Sequence, residues 1–131
     1  MIRSIIALVG GFAIMVFLVL LLSIAAAMAF GVTAGAPNTP YLVANLVLLA
    51  AAALTGGFAT ASLAPVHPFA HTIGLAVMIL AMALSSIAHP QPGQPAWYAA
   101  ATTMIGPLFA VGGGGLRLWQ RRRRTPTMEN N

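Results

Sequence analysis

Residues 5–30 read IIALVGGFAIMVFLVLLLSIAAAMAF, without one charged side chain. About 20 apolar residues in a helix cross the ~30 Å hydrocarbon core of a bilayer, so this run is long enough to span one. Outward from it the absence of charge persists. No Asp, Glu, Lys or Arg occurs between Arg3 and Arg117, whereas a soluble domain is roughly one quarter charged. An ionised side chain at the centre of a membrane helix costs about 2.5–3.5 kcal/mol on insertion scales. The stretch therefore predicts lipid, not water, as the solvent of this chain.

Three further apolar runs follow, at about 41–63, 68–88 and 96–119. The first run stops at Gly31, ahead of Gly35-Ala36-Pro37-Asn38-Thr39-Pro40. The second stops at Ala64-Pro65, and the third at His89-Pro90-Gln91-Pro92-Gly93-Gln94-Pro95. Pro40, Pro68 and Pro95 each fall at or near the start of a run. Proline is tolerated in a first helical turn because its missing N–H would lack an intrahelical partner there. The reading is an all-α membrane protein: four transmembrane helices in an antiparallel up-down bundle joined by short loops. Residues 1–120 form its single domain, and residues 121–131 a basic cytoplasmic tail. Arg3 and the apolar run after it have roughly the form of a secretory signal. A signal core is about 7–15 residues and this run is far longer, so it is read as a membrane helix.

The arginines orient the bundle. Arg3 precedes the first helix, and Arg117, Arg121, Arg122, Arg123 and Arg124 end the fourth. An even number of spans puts both ends on one side, and the positive-inside rule makes that side cytoplasmic. The loops near 31–40 and 89–95 then face outward. Trp97 and Trp119 bracket the fourth helix as interfacial anchors, with Tyr98 beside Trp97 and Tyr41 opening the second. The arginine cluster also suits anionic lipid headgroups, each residue near the surface contributing roughly 1 kcal/mol. The expected location is a bacterial inner membrane, multi-pass.

Lipid tails are as apolar as leucine, so membrane helices associate through small residues that let backbones approach. The second run offers two such rows, Ala52, Gly56, Thr60 and Ala53, Gly57, Ala61. The first pairs Ala7 with Gly11, and the third pairs Ala81 with Ser85. Asn45 is an amide well inside an apolar run, and is expected to hydrogen-bond a neighbouring helix or to line a solute path. The fourth helix is the weakest, because Pro107 should kink it and Gly112 to Gly115 each cost about 0.8–1 kcal/mol relative to alanine. It is expected to depend on contacts within the bundle or with another subunit.

Groups capable of chemistry are few. With no cysteine, disulfides and thiolate ligands are excluded. The one acid is Glu129, near the C-terminus. His67 and His71 form H-P-F-A-H, a spacing at which two imidazoles share a helix face and can hold a metal or haem. No carboxylate or thiolate lies nearby to complete such a site, and interfacial capping is the alternative reading of both. The glycines at 112–115 lack the Lys-Ser/Thr of a phosphate loop and follow no strand. An isoelectric point near 11.7 would suggest nucleic acid in a soluble protein, but five of the six basic residues form one juxtamembrane cluster. No enzyme, cofactor, metal or nucleic-acid partner is expected.

The stretch Gly56-Gly57-Phe58-Ala59-Thr60-Ala61-Ser62-Leu63-Ala64-Pro65, with His71 and the helix to about residue 85, resembles the central hairpin of small uncharacterised bacterial four-helix integral membrane proteins. That resemblance implies a fold. In size and layout the chain also resembles the small multidrug resistance transporters, but they depend on a membrane-embedded glutamate in the first helix and this chain has none. The function expected is therefore non-catalytic: an accessory, stabilising or assembly subunit packing laterally in a respiratory, photosynthetic or secretory complex. A small homo-oligomeric transporter or channel for neutral solutes is the alternative.

Overall fold

The computed structural model describes residues 2–32, 37–64, 66–89 and 93–124, and is all-helical there. Its elements are α1 (Ile2–Ala29), α2 (Thr39–Leu63), α3 (Pro68–Ala88) and α4 (Ala96–Arg124). All four are long and apolar enough to cross a membrane. Glu129 and the rest of the tail beyond Arg124 lie outside the described residues.

Local chemistry sets the helix ends. Asn38 caps α2, its Oδ1 accepting from the Tyr41 N–H at 2.9 Å. Its Nδ2 donates to the Phe30 carbonyl at 3.2 Å, tying the end of α1 to the start of α2. Pro40 and Pro68 occupy the first turns of α2 and α3. α4 runs unbroken through Pro107 and five residues past Trp119, to Arg124. The arginines there are good helix formers, and cations are favourable near a helix C-terminus. The first residues of the basic tail are thus a continuation of the helix.

Consecutive helices alternate in direction. Gly11 near the start of α1 meets Gly56 and Thr60 near the end of α2, while Ser23 farther along α1 bonds Asn45 near the start of α2. Gly114 of α4 lies against Thr72 of α3, and Gly106 against Ile79. The most intimate contact joins α2 to α4, a parallel pair that is not consecutive in sequence. α2 is the central element and touches all three others.

The two small-residue rows of α2 serve different neighbours. Along the first, a Cβ added at Gly56 would lie 2.7 Å from the Met15 Cβ and 3.0 Å from the Gly11 carbonyl oxygen of α1. Along the second, a Cβ at Gly57 would overlap the Ala110 carbonyl of α4. In return, a Cβ at Gly113 of α4 would overlap the Leu54 carbonyl. At both glycines a hydrogen occupies the direction a side chain would take, so a Cα–H points at a carbonyl. Each such contact contributes about 0.5–1 kcal/mol, and many van der Waals contacts accompany it.

Met15, Ala52, Ala53, Leu75, Ile79 and Ala110 form the core where the helices converge. Two buried hydroxyls there bond their own helix backbones, Thr60 to the Gly56 carbonyl at 2.9 Å and Thr72 to the Pro68 carbonyl at 3.0 Å. Such bonds satisfy the hydroxyls without a partner from another helix. Ala81 and Ser85 of α3 are both exposed, as are Phe17, Leu20, Leu21 and Ile24 of α1.

Candidate functional site

Three side chains from three helices make the principal polar contact among the described residues. Ser23 of α1 donates to the Asn45 Oδ1 at 2.6 Å, and the Asn45 Nδ2 donates to the Tyr98 hydroxyl at 2.5 Å. Asn45 sits two turns into α2 and Tyr98 in the first turn of α4. In an apolar solvent, an unpaired amide or phenol is costly, and these pairings offset much of that. Tyr98 is only 7% exposed, while its neighbour Trp97 stands edge-on to it with ring centroids 5.9 Å apart.

Asn45 and Tyr98 also line a cavity of about 300 Å³ to which all four helices contribute. Its other polar lining residues are Thr102, Ser86 and Gln94. The Thr102 hydroxyl already donates to the Ala99 carbonyl at 2.9 Å. Met15 and Val19 of α1 and Ile79 and Met82 of α3 supply apolar walls. Ser86 and Gln94 are exposed, so the cavity opens between the end of α3 and the start of α4. No charged side chain lines it.

The amide of Asn45 stands out in the sequence because an apolar run surrounds it. Tyr98 carries no such signal. Next to Trp97 at a helix start it reads as an interfacial anchor, and only the fold brings its hydroxyl to a partner 53 positions away. Ser23 is likewise a lone hydroxyl in a leucine-rich run, with nothing local to mark its bond.

The histidines lie apart from this cavity. His67 is the N-cap of α3, exposed and in a left-handed backbone conformation (φ 48°, ψ 57°), with no side-chain cap bond. The His71 Nδ1 is 3.1 Å from the His67 carbonyl oxygen, and the His89 Nδ1 is 3.1 Å from that of Ser85. No group of three or more His, Cys, Asp or Glu side chains that could hold a metal occurs among the described residues.

At the opposite end, the guanidinium of Arg117 lies over the Phe58 ring of α2, 5.4 Å from its centroid. Arg123 lies over Trp119 at 3.7 Å. Cation–π contacts of this kind contribute about 0.5–1 kcal/mol when exposed and more when desolvated. Arg3, Arg121 and Arg122 are exposed. Basic side chains and Trp119 thus gather at the end of α4, with Arg117 tied back onto α2.

These features define a small all-helical protein with four potential membrane spans and a cavity lined in part by polar side chains. Comparison with protein-family models, with curated proteins and with solved structures gives no match for this chain.

Proposed function

We propose that this chain is a non-catalytic integral membrane protein, with four spans and both termini cytoplasmic. It packs laterally as an accessory, stabilising or assembly subunit of a larger complex in a bacterial inner membrane. That complex is a respiratory, photosynthetic or secretory one. In this reading the arginines after Trp119 hold the cytoplasmic end of α4 against anionic headgroups.

One observation carries the proposal. Of the glycines in α4, Gly106, Gly113 and Gly114 meet neighbours within the fold, whereas a Cβ at Gly112 or Gly115 would meet nothing within 4 Å. Each of these two lowers helix stability by about 0.8–1 kcal/mol relative to alanine, and among the described residues nothing stands where a side chain at either would point. Met104, Leu108, Gly112, Gly115 and Trp119 share one outward stripe, at the spacing by which one helix meets another. A stripe with small residues at its middle lets a second helix approach closely.

The experiment is purification of the tagged full-length protein in mild detergent, followed by mass spectrometry. Stoichiometric recovery with another membrane complex, lost in a helical Gly112→Leu variant, supports the reading. Recovery alone, as monomer or homo-oligomer, overturns it. A homo-oligomer would favour the transporter or channel for neutral solutes, which the cavity beside Asn45 also suits.

A further inference from the structure

We propose that the cavity beside Asn45 and Tyr98 is a binding site for a neutral, mainly apolar molecule bearing a carbonyl oxygen. The inference rests on the cavity alone, and holds whether or not α4 packs against another protein.

The hydrogen-bond inventory of the site points to the ligand. A serine hydroxyl, a primary amide and a phenol together carry four donor hydrogens, and the bonds from Ser23 to Asn45 and from Asn45 to Tyr98 use two of them. The hydroxyl proton of Tyr98 and the second amide proton of Asn45 have no acceptor among the described residues. Both groups line the cavity, and Tyr98 is more than nine-tenths buried. With the hydroxyl and amide oxygens of Ser86, Thr102 and Gln94 elsewhere in the lining, the Asn45–Tyr98 end of the cavity is where spare donors call for an acceptor.

Charge and shape narrow the class. With no ionised side chain in the lining, a charged ligand would be desolvated without a partner, which selects a neutral one. Met15, Val19, Leu49, Ile79 and Met82 surround the remaining space, so the body of the ligand is apolar. A volume of about 300 Å³ is at the small end of ligand pockets and admits a one- or two-ring molecule. A quinone headgroup has this chemistry: flat, neutral and apolar, with carbonyl oxygens at its edge.

The test uses the full-length protein in zwitterionic nanodiscs, carrying Trp119→Phe so that Trp97, against Tyr98, is the single fluorescent reporter. Menadione, a neutral two-ring quinone, is the probe and quencher. The expected result is saturable quenching. Tyr98→Phe should weaken it about tenfold, the upper value of one neutral hydrogen bond. Ala83→Leu, which adds bulk to the cavity lining and leaves Asn45 and Tyr98 unsubstituted, should abolish saturation. Methylnaphthalene, the same skeleton without oxygen, should relieve menadione quenching with an affinity about tenfold weaker than menadione's own. Non-saturable quenching, or unchanged binding in Ala83→Leu, overturns the site. Unchanged binding in a helical Tyr98→Phe variant, or equal displacement by methylnaphthalene, overturns the carbonyl assignment. None of these outcomes bears on co-purification, which tests the lateral-packing reading separately.

Discussion

Gly57 of α2 faces the backbone carbonyl of Ala110 in α4 so closely that no side-chain carbon fits between them. Both residues are buried. The neighbour that would have to yield is backbone, so the helices themselves would have to separate.

Two glycine substitutions should consequently act with opposite sign. Gly57→Ala is expected to destabilise the purified protein by about 1–3 kcal/mol, the usual range for overpacking a close contact. Gly112→Ala should stabilise it by about 0.5–1 kcal/mol, because a methyl there meets nothing and alanine favours the helix. Thermal unfolding in detergent, followed by helical circular dichroism, measures both. A neutral or stabilising Gly57→Ala would mean that α2 and α4 are not in this contact, and a destabilising Gly112→Ala would mean that the outward face of α4 is packed in the purified protein.

The Asn45–Tyr98 bond should appear as a coupling energy. A double-mutant cycle with Asn45→Leu and Tyr98→Phe is expected to give about 0.6 kcal/mol, with a ceiling near 1.7, as for other hydrogen bonds between membrane helices. Removing Asn45 alone also strands Ser23, so that single variant should be the more damaging. Additive losses would show that the two side chains act independently.

The chain has no cysteine, which makes its orientation directly measurable. Asn38→Cys and Gly93→Cys lie at one end of the bundle and His67→Cys at the other. On intact cells, a membrane-impermeant maleimide should label the first two and spare the third, which should react only after permeabilisation. The reverse pattern would invert the proposed topology.

Neutralising the cluster at the end of α4, by changing Arg121, Arg122, Arg123 and Arg124 to Gln, should reduce attraction to anionic lipid by roughly 1 kcal/mol per residue. The readout is the gain in melting temperature on moving the protein from zwitterionic to anionic nanodiscs. The gain should shrink in the variant, and in the parent it should fall with added salt. An unchanged gain would assign the lipid response elsewhere.

The four helices are legible in the sequence because length without charge is a coarse, continuous signal, the one that a membrane span requires. The starts of α2 and α3 are legible too, from Pro40 and Pro68, whereas the capping bond of Asn38 emerges only in the fold. Helix pairing is less so. Ala52-Gly56-Thr60 and Ala53-Gly57-Ala61 announce two close-approach faces on α2, but a small residue carries no mark of its partner. That α4 is held most closely to α2, ahead of its sequence neighbour α3, depends on where Ala110 and Gly113 fall around a helix whose glycines look alike in the sequence. Gly112 and Gly113 differ only by a rotation of about 100°, and one meets open space where the other meets a backbone. Asn45 is conspicuous by its surroundings. Tyr98 is not, since its ring serves an interface equally well.

The closest seam of the bundle joins the second helix to the fourth, and the fourth is also the least apolar of the spans. In chain order, α1, α2 and α3 are made first, and the face of α2 holding Gly57 stays uncovered until α4 arrives. Assembly thus ends on its tightest joint, made by the segment with the least affinity for lipid. A chain truncated after α3 would leave that backbone face open, ready to be filled by a helix from elsewhere.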